Sequence, residues 1–409
     1  MSLLADLRTL SPHQRNAFLA AYLGWTLDAF DYFILVFVLK DVAHEFHVSI
    51  KTVSEALFLT LAFRPVGALL FGMAADRFGR RIPLLVNVLL YSLLELLSGF
   101  APNLTTFFVL RAIFGIAMGG EWGLGASLAL ESTPARMRGV LSGLLQQGYP
   151  VGYLLATLLY RFALPGHNWR LLFFIGAAPA LLSVFIRAKV PESPVWLAQK
   201  QAPDRPPLGA LIRQNIPFFI SMVLLMTAFN FMSHGTQDIY PTFLQVQNHF
   251  SPVTVSNIAI VYNLGALAGG ILIGGLSQTW GRRRAIVAAA LLALPIVPLW
   301  AFSHSAGMLA LGAFAMQFCV QGAWGVIPAH LTELSPGLLR GTFTGLAYQL
   351  GNLIASRCGP LQTGLAESHG GNYSYGLASV IVVVLLAVAV VSALGREARG
   401  IDFSERAAA

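Results

Sequence analysis

Long apolar runs return along the whole chain, each close to the roughly 20 residues that a helix needs to cross a bilayer core. They predict spans near 17–39, 52–75, 82–101, 104–129, 139–163 and 169–188, then near 216–244, 253–277, 285–303, 305–329, 341–366 and 374–394. Ten-residue stretches of strict apolar and polar alternation do not occur, so a helical bundle is expected rather than a barrel. The predicted fold class is an all-α integral membrane protein. One polar, proline-rich stretch, Lys189 to Asn215 with Pro203, Pro206 and Pro207, splits the runs six and six. Residues 1–188 and 216–409 are thus expected as two six-helix bundles, with 189–215 as the linker.

Self-comparison strengthens the division. Gly72, Gly79, Arg80 and Arg81 recur as Gly274, Gly281, Arg282 and Arg283, each at an offset of 202 residues. Glu131, Arg138 and Gly139 return as Glu333, Arg340 and Gly341, and Trp122-Gly123 as Trp324-Gly325, at the same offset. A parallel repeat of this kind implies two bundles related by an axis along the membrane normal, with a cavity between them at mid-depth.

Charge then orients the chain. Only 11% of residues are charged and mean hydropathy is +0.68, against roughly a quarter charged in soluble domains. Most of the 26 Lys and Arg fall in the termini, the linker and alternate loops, the asymmetry that marks cytoplasmic segments. Both termini and the linker are expected in the cytoplasm, with the spans in a cell (inner) membrane. That placement explains the net charge of +8 without a nucleic-acid partner. Cys319 and Cys358 sit in apolar runs, so neither a disulfide framework nor a metal spacing is expected. The first run has span length, carries Asp28 and Asp31 and lacks a cleavage pattern, so it reads as a helix rather than a leader. No nucleotide loop, nucleophile elbow or metal cluster points to an enzyme, and no cofactor is expected.

Polar groups inside the spans are the candidate chemistry, because ionisable groups at bilayer depth are expensive and normally face a watery path. Asp28 and Asp31 share a face of span one, and Arg64 lies in span two. Arg111 and Glu121 lie ten residues apart in span four, too far for one-turn pairing, so each is expected to find a partner on another helix. Their counterparts are Ala313 and Ala323, so the repeated scaffold needs neither charge. Glu121 is open to two readings, proton carrier or structural ion pair. Glu95, in span three, has no evident role. Arg357 lies in span eleven. A small anion crossing lipid needs a fixed cation, and arginine grips a carboxylate with two hydrogen bonds. Arg64 could serve the solute or neutralise Asp28 or Asp31, and exchange between the two would couple solute to proton. Span seven is the densest in polarity: Asn230, Ser233, His234, Thr236, Gln237, Asp238 and Thr242 fall within one helix. His234 and Asp238 share a face, and histidine titrates near physiological pH. Gly235 and Pro241 are expected to loosen this helix.

Two motifs carry a resemblance. Gly72-Met-Ala-Ala-Asp76-Arg77-Phe-Gly79-Arg80-Arg81 resembles the signature loop of the major facilitator superfamily; its second copy has Gln278 and Thr279 for Asp76 and Arg77. The resemblance implies a 12-helix major facilitator fold and a gating latch at Asp76, Arg77, Arg80 and Arg81, the stronger latch belonging to the first half. The span-seven pattern is similar to the signature of lactate/pyruvate:proton symporters of the fungal lactate-permease type, within the sialate:proton symporter family. That implies uptake of a small monocarboxylate anion with a proton by alternating access, in a monomer surrounded by lipid. It also implies substrate recognition and proton coupling at Asn230, His234, Gln237 and Asp238, with Gln349, Asn352 and Arg64 as further substrate contacts. The residues themselves add Arg357 as a second cation for the substrate, and place Asp28, Asp31 and Glu121 behind His234 and Asp238 for the proton. A symporter of a larger acid, sialate or aromatic, is the alternative, and a non-transporting sensor stands behind both. Pro191-Glu192-Ser193-Pro194 resembles an element of sugar-porter relatives.

Overall fold

The computed structural model describes residues 9–163, 168–178, 180–200, 208–397, 399–401 and 403. Among these, nine helices are long and apolar enough to cross a membrane. The first bundle contains α1 (Pro12–Glu45), α2 (Ile50–Phe78), α3 (Arg81–Gly99), α4 and α5 (Leu104–Gly119, Glu121–Glu131), α6 and α7 (Arg138–Gln146, Gly148–Ala163), and α8 and α9 (Arg170–Gly176, Ala180–Lys189). The short α10 (Pro194–Lys200) follows. The second bundle contains α11 (Leu208–Gln237), α12 (Pro252–Trp280), α13 and α14 (Arg282–Ala293, Val297–Ala301), α15 (Ala306–Leu334), α16 and α17 (Arg340–Ala355, Cys358–Ser368) and α18 (Tyr373–Leu394).

The repeat is written into the helix ends. Ser49 and Ser251 cap α2 and α12, and Asn103 and Ser305 cap α4 and α15, each accepting a backbone N–H three residues on. Gly79 and Gly281 stop α2 and α12 with φ of 98° and 101°, a region that glycine enters without a Cβ clash.

Six runs predicted as single spans, 104–129, 139–163, 169–188, 216–244, 285–303 and 341–366, are interrupted. Proline lacks the N–H that would bond four residues back. Pro150 follows the end of α6 at Gln146 by four residues, and Pro360 follows Ser356, the cap of α16, by four. Pro241 bears the same relation to the end of α11 at Gln237, and Pro298 to Leu294 after α13. Gly235 does not share in this loosening. It stays helical, and a Cβ there would lie 3.3 Å from Cys358 Sγ, so the missing side chain lets α11 approach α17. The linker is not wholly an irregular loop either: α10 occupies 194–200 and α11 begins at 208, while residues 201–207 fall outside the described set.

Close glycine contacts join neighbouring helices within each bundle. A Cβ on Gly115 or Gly119 would fall 2.3 or 2.0 Å from the backbone oxygens of Thr60 and Arg64, and Gly265 and Gly269 meet Phe314 and Phe318 in the same way. Asn16 Nδ2 donates to Lys189 O, and Arg138 Nη1 donates to Ile401 O, so the two chain ends and the linker gather at one end of the molecule, here called the basic end. There the bundles meet directly. A Cβ on Gly72 would lie 2.6 Å from Thr342 Cα, and one on Gly123 2.6 Å from Gly345 Cα. α2 packs along α16, and α6 packs along α12 and α15, whereas the outer halves α7 and α17 pack mainly within their own bundles. The space between the bundles therefore closes at the basic end and widens away from it.

Candidate functional site

Two arrangements of buried polar residues stand out, a central cluster and a latch at the basic end.

In the central cluster Arg64 enters from α2 and is 4% exposed. Its Nη2 lies 3.7 Å from Asp28 Oδ2 on α1 and 3.4 Å from Met118 Sδ on α4. Its Nε is buried without a partner, and its Nη1 makes no hydrogen bond among the described residues. At 3.7 Å the pair with Asp28 is far looser than the other buried pair of this bundle's core, Arg111–Glu95, at 2.6 Å. The partner that Glu95 lacked in the sequence is thus Arg111. Glu121 gains none: both its carboxylate oxygens are buried without a donor among the described residues, and a Cβ on Gly24 would lie 2.0 Å from one of them. The expectation of a partner holds for Arg111 and fails for Glu121, because α5 points Glu121 at the small residues of α1. Asp31 is fully buried, and neither of its oxygens has a donor.

Across the cavity, His234 Nδ1 lies 2.9 Å from Asp238 Oδ2, and His234 Nε2 lies 2.8 Å from Asn352 Oδ1. The His234 and Asp238 side chains are 27% and 48% exposed, so this pair is accessible while Asp28 and Arg64 are nearly buried. Gln237 donates to Ser233 Oγ and Gln317 Oε1, each at 3.3 Å. Asn230 donates to Met226 O of its own helix at 2.8 Å. Gln349 is 1% exposed, and its Oε1 is buried without a donor. Arg357 stands apart. It occupies the turn between α16 and α17, is exposed, and makes no ion pair among the described residues.

Aromatic rings surround the central cluster. Tyr32 lies with its ring centroid 5.5 Å from Arg64 Cζ, Trp25 stacks on Tyr149 at 5.6 Å, and Trp122 lies 4.6 Å from Tyr348. Sequence reasoning did not single out these rings. Aromatic residues in a span carry no signal of which face they occupy, and only the approach of α1, α5, α7 and α16 gathers them.

The latch centres on Asp76 and Glu131. Asp76 accepts hydrogen bonds from Arg80 Nη1 at 2.9 Å, from the backbone N–H groups of Gly341 and Thr342 at 2.9 Å, and from Thr342 Oγ1 at 2.7 Å. Glu131 accepts from Arg80 Nε and Nη2, from Arg340 Nη1 at 2.9 Å, and from Ser193 Oγ. Both carboxylates therefore join the first bundle to the N-terminus of α16 in the second. α10 reinforces the join: Glu192 takes the N–H groups of Arg80 and Arg81, and Trp196 Nε1 donates to Asp76 O at 3.1 Å. The second copy is neutral but equally engaged. Gln278 accepts from Gly139 N and donates to Ala135 O, at 2.9 and 3.0 Å. Arg77 takes no part, since its guanidinium lies over the ring of its neighbour Phe78, 5.2 Å away. Sequence reasoning did not place Glu131, Arg340 and Thr342 in this contact, although the 202-residue repeat had singled out the first two.

A family model described as sugar (and other) transporter matches residues 17–205, and one described as major facilitator superfamily matches residues 223–408. A carboxylic acid transporter protein homolog of Saccharomyces cerevisiae is 29% identical over 397 residues, covering 90% of this chain but only 64% of that relative. The chain thus spans just under two thirds of that protein's length. The sialic acid transporter NanX of Escherichia coli is 29% identical over 402 residues, 96% of each chain. The cis,cis-muconate transport protein of Acinetobacter baylyi is 28% identical over 375 residues, 90% of each. Among solved structures, the proton:xylose symporter XylE superposes with a TM-score of 0.78 at 19% identity, covering 97% of this chain and 98% of that one. The human organic anion transporter MFSD10 does so with a TM-score of 0.73 at 16% identity, covering 92% and 100%. Likeness at such identities speaks for the fold alone. Two family models that divide the chain at its linker, together with twelve helical spans in two bundles related by a 202-residue repeat, place this multi-pass membrane protein in the major facilitator superfamily.

Proposed function

We propose that this protein is a proton-coupled symporter of organic monocarboxylates, lactate and pyruvate among them, working by alternating access. The observation that carries the reading is Arg64: a nearly buried guanidinium, held only loosely by Asp28 at 3.7 Å, with one amino group unpaired. An incoming carboxylate competes with Asp28 for that cation. Once displaced, Asp28 is a buried carboxylate without a counter-charge, and the charged form then costs several kcal/mol. Binding a proton removes that cost, so solute and proton favour one another's presence. His234, Asp238 and Asn352 face this pair from the second bundle and supply a more accessible relay and polar contacts, with Gln237, Gln349 and Asn230 behind. In the cell the basic end faces the cytoplasm and the cavity faces outward, a placement supported by the concentration of Lys and Arg. The names of the relatives, carboxylic acid, sialic acid and muconate transporters, agree with an organic-acid solute.

The test is uptake of a panel of mono-, di- and sugar acids into proteoliposomes under an imposed pH gradient. Monocarboxylates should accumulate with the gradient and stop when it is collapsed. Arg64→Ala should abolish both uptake and binding; retention of lactate or pyruvate uptake by that variant would sink the binding assignment. A larger acid is the second reading, and the rings about Arg64 favour it.

A further inference from the structure

Away from the central cavity, a groove of about 770 Å³ opens at the basic end of the second bundle. The end of α12, the first turns of α13, the end of α18 and the tail beyond it form its walls. Its chemistry is divided in two. Arg283, Arg284 and Arg399 crowd one end, while Val287, Ala288 and Leu291 continue it along α13. Arg284, Val287, Ala288 and Leu291 stand at i, i+3, i+4 and i+7, so one face of the helix carries a cation in its first turn and an apolar stripe behind it. From Arg284 to Leu291 the helix rises about 10 Å. A ligand that fits both parts is amphipathic, an anionic head joined to hydrocarbon at least that long.

The groove lies where such a ligand is found. Trp280, the last residue of α12, is 52% exposed beside the arginines, and tryptophan is enriched where spans pass from hydrocarbon to headgroups. Leu291 and Leu292 are exposed as well, so the stripe faces lipid rather than the protein core. Arg283 donates from Nε to Ser392 O at 3.0 Å, and Arg399 donates from Nη1 to Thr279 O, which fixes both at the head of the groove. Arg284 is exposed and makes no hydrogen bond or ion pair among the described residues. Glu397, the one carboxylate of the lining, is engaged by the backbone N–H groups of Arg282, Arg283 and Arg399. Three guanidiniums against one engaged carboxylate leave an excess of positive charge for a phosphodiester, which arginine grips with two parallel hydrogen bonds. The repeated scaffold does not demand this arrangement. At the 202-residue offset Arg284 corresponds to Ile82 and Trp280 to Phe78.

We propose that this groove is a binding site for an anionic phospholipid, with the phosphodiester seated among Arg283, Arg284 and Arg399 and an acyl chain laid along Val287, Ala288 and Leu291. Basic pockets between spans recognise anionic headgroups in this way. A zwitterionic headgroup binds less well, because its ammonium brings a further cation to a site that already holds three.

The full-length protein in phosphatidylcholine vesicles tests the site when these are doped with phosphatidylglycerol or phosphatidylethanolamine bearing brominated acyl chains, since bromine quenches a tryptophan only on contact. The difference between the protein and Trp280→Phe isolates the signal of Trp280. Half-quenching should need an about tenfold lower fraction of phosphatidylglycerol than of phosphatidylethanolamine. Arg284→Ala should raise the phosphatidylglycerol fraction about fivefold, the contribution of one arginine near the headgroups, and the double variant Arg284→Ala, Arg399→Ala should raise it further. Arg15→Ala, which removes the same charge from an exposed position on the first bundle, should leave it unchanged. Monodisperse elution of each variant checks that it folds. Inorganic phosphate at constant ionic strength should leave the quenching in place. Equal half-quenching by the two headgroups, or a phosphatidylglycerol curve unmoved in the double variant, overturns the site. Displacement by inorganic phosphate assigns the arginines to a free anion and overturns the lipid as occupant.

Discussion

The buried charges of the first bundle differ in how well each is partnered, and their uses follow from that. Arg111 and Glu95 are both fully buried and bond at 2.6 Å, an arrangement of structure rather than exchange. Removing one member strands the other charge, so Glu95→Ala should cost about 3–5 kcal/mol. Thermal denaturation in detergent reads this, and a paired Glu95→Met, Arg111→Leu protein should recover much of the loss. Glu121 is the opposite case, a buried carboxyl with no donor in reach among the described residues. Glu121→Gln, which keeps the shape without the charge, should leave the melting temperature equal or higher. If Glu121 carries the coupled proton, the same variant should exchange solute down its gradient but fail to concentrate it. Undiminished accumulation would remove Glu121 from the proton path.

At the scale of elements, backbone contact between helices decides where the site residues stand. Arg64 is carried by α2, whose backbone oxygen at that residue would sit 2.0 Å from a Cβ on Gly119 of α4. Gly119→Ala must push the two helices apart, so it should destabilise by about 1–3 kcal/mol and weaken carboxylate binding through displacement of Arg64. Gly307 near the start of α15 has nothing within 4 Å of an added Cβ. Gly307→Ala should be neutral or stabilising by up to about 1 kcal/mol, the difference in helix propensity, and it serves as the control. The breaks set by Pro150, Pro241, Pro298 and Pro360 act at the same scale. They free backbone groups where spans five, seven, nine and eleven bend, as expected of carriers that rock around a central site.

For the whole molecule the basic end is where the two bundles are bonded to each other. Asp76 gathers four donors, three of them from the second bundle. Asp76→Ala should therefore favour the state open at the basic end, raising maleimide labelling of a Ser127→Cys reporter, since Ser127 lies buried against Arg340 O. The C-terminal segment adds a strap. Phe403 is 1% exposed, with its ring 3.4 Å from Arg138 Cζ of the first bundle and 3.9 Å from Arg340 Cζ of the second. Phe403→Ala should raise the same labelling, by less than Asp76→Ala does. Glu397, just beyond the last span, ties this segment down. Burial pushes its carboxyl up, but the N–H groups of Arg283 and Arg282 outweigh that and hold it below the ordinary glutamate range. Its contribution is present above the unfolded-state value of about 4.3 and fades as pH falls through the lowered value, so tail protection from protease should decline only in acid.

Hydropathy and the 202-residue repeat were enough to make an all-helical membrane fold of two bundles legible, and the signature loop from Gly72 to Arg81 pointed to the superfamily. Length, period and charge are local properties that a lipid environment reads one segment at a time. The acids and amides of spans one and seven were legible for the same reason, since a polar side chain in hydrocarbon is conspicuous wherever it sits. Partnership was not legible. That Arg111 belongs to Glu95 and not to Glu121, that Arg357 stands outside the cluster, and that Glu131 and Thr342 share the latch with Asp76 all depend on which helix faces which. Composition could not separate Tyr32, Tyr149 and Tyr348 from lipid-facing bulk. Only packing brought the ring of Tyr32 to the Arg64 guanidinium, because distance between helices is decided by tertiary contact and not by position along the chain.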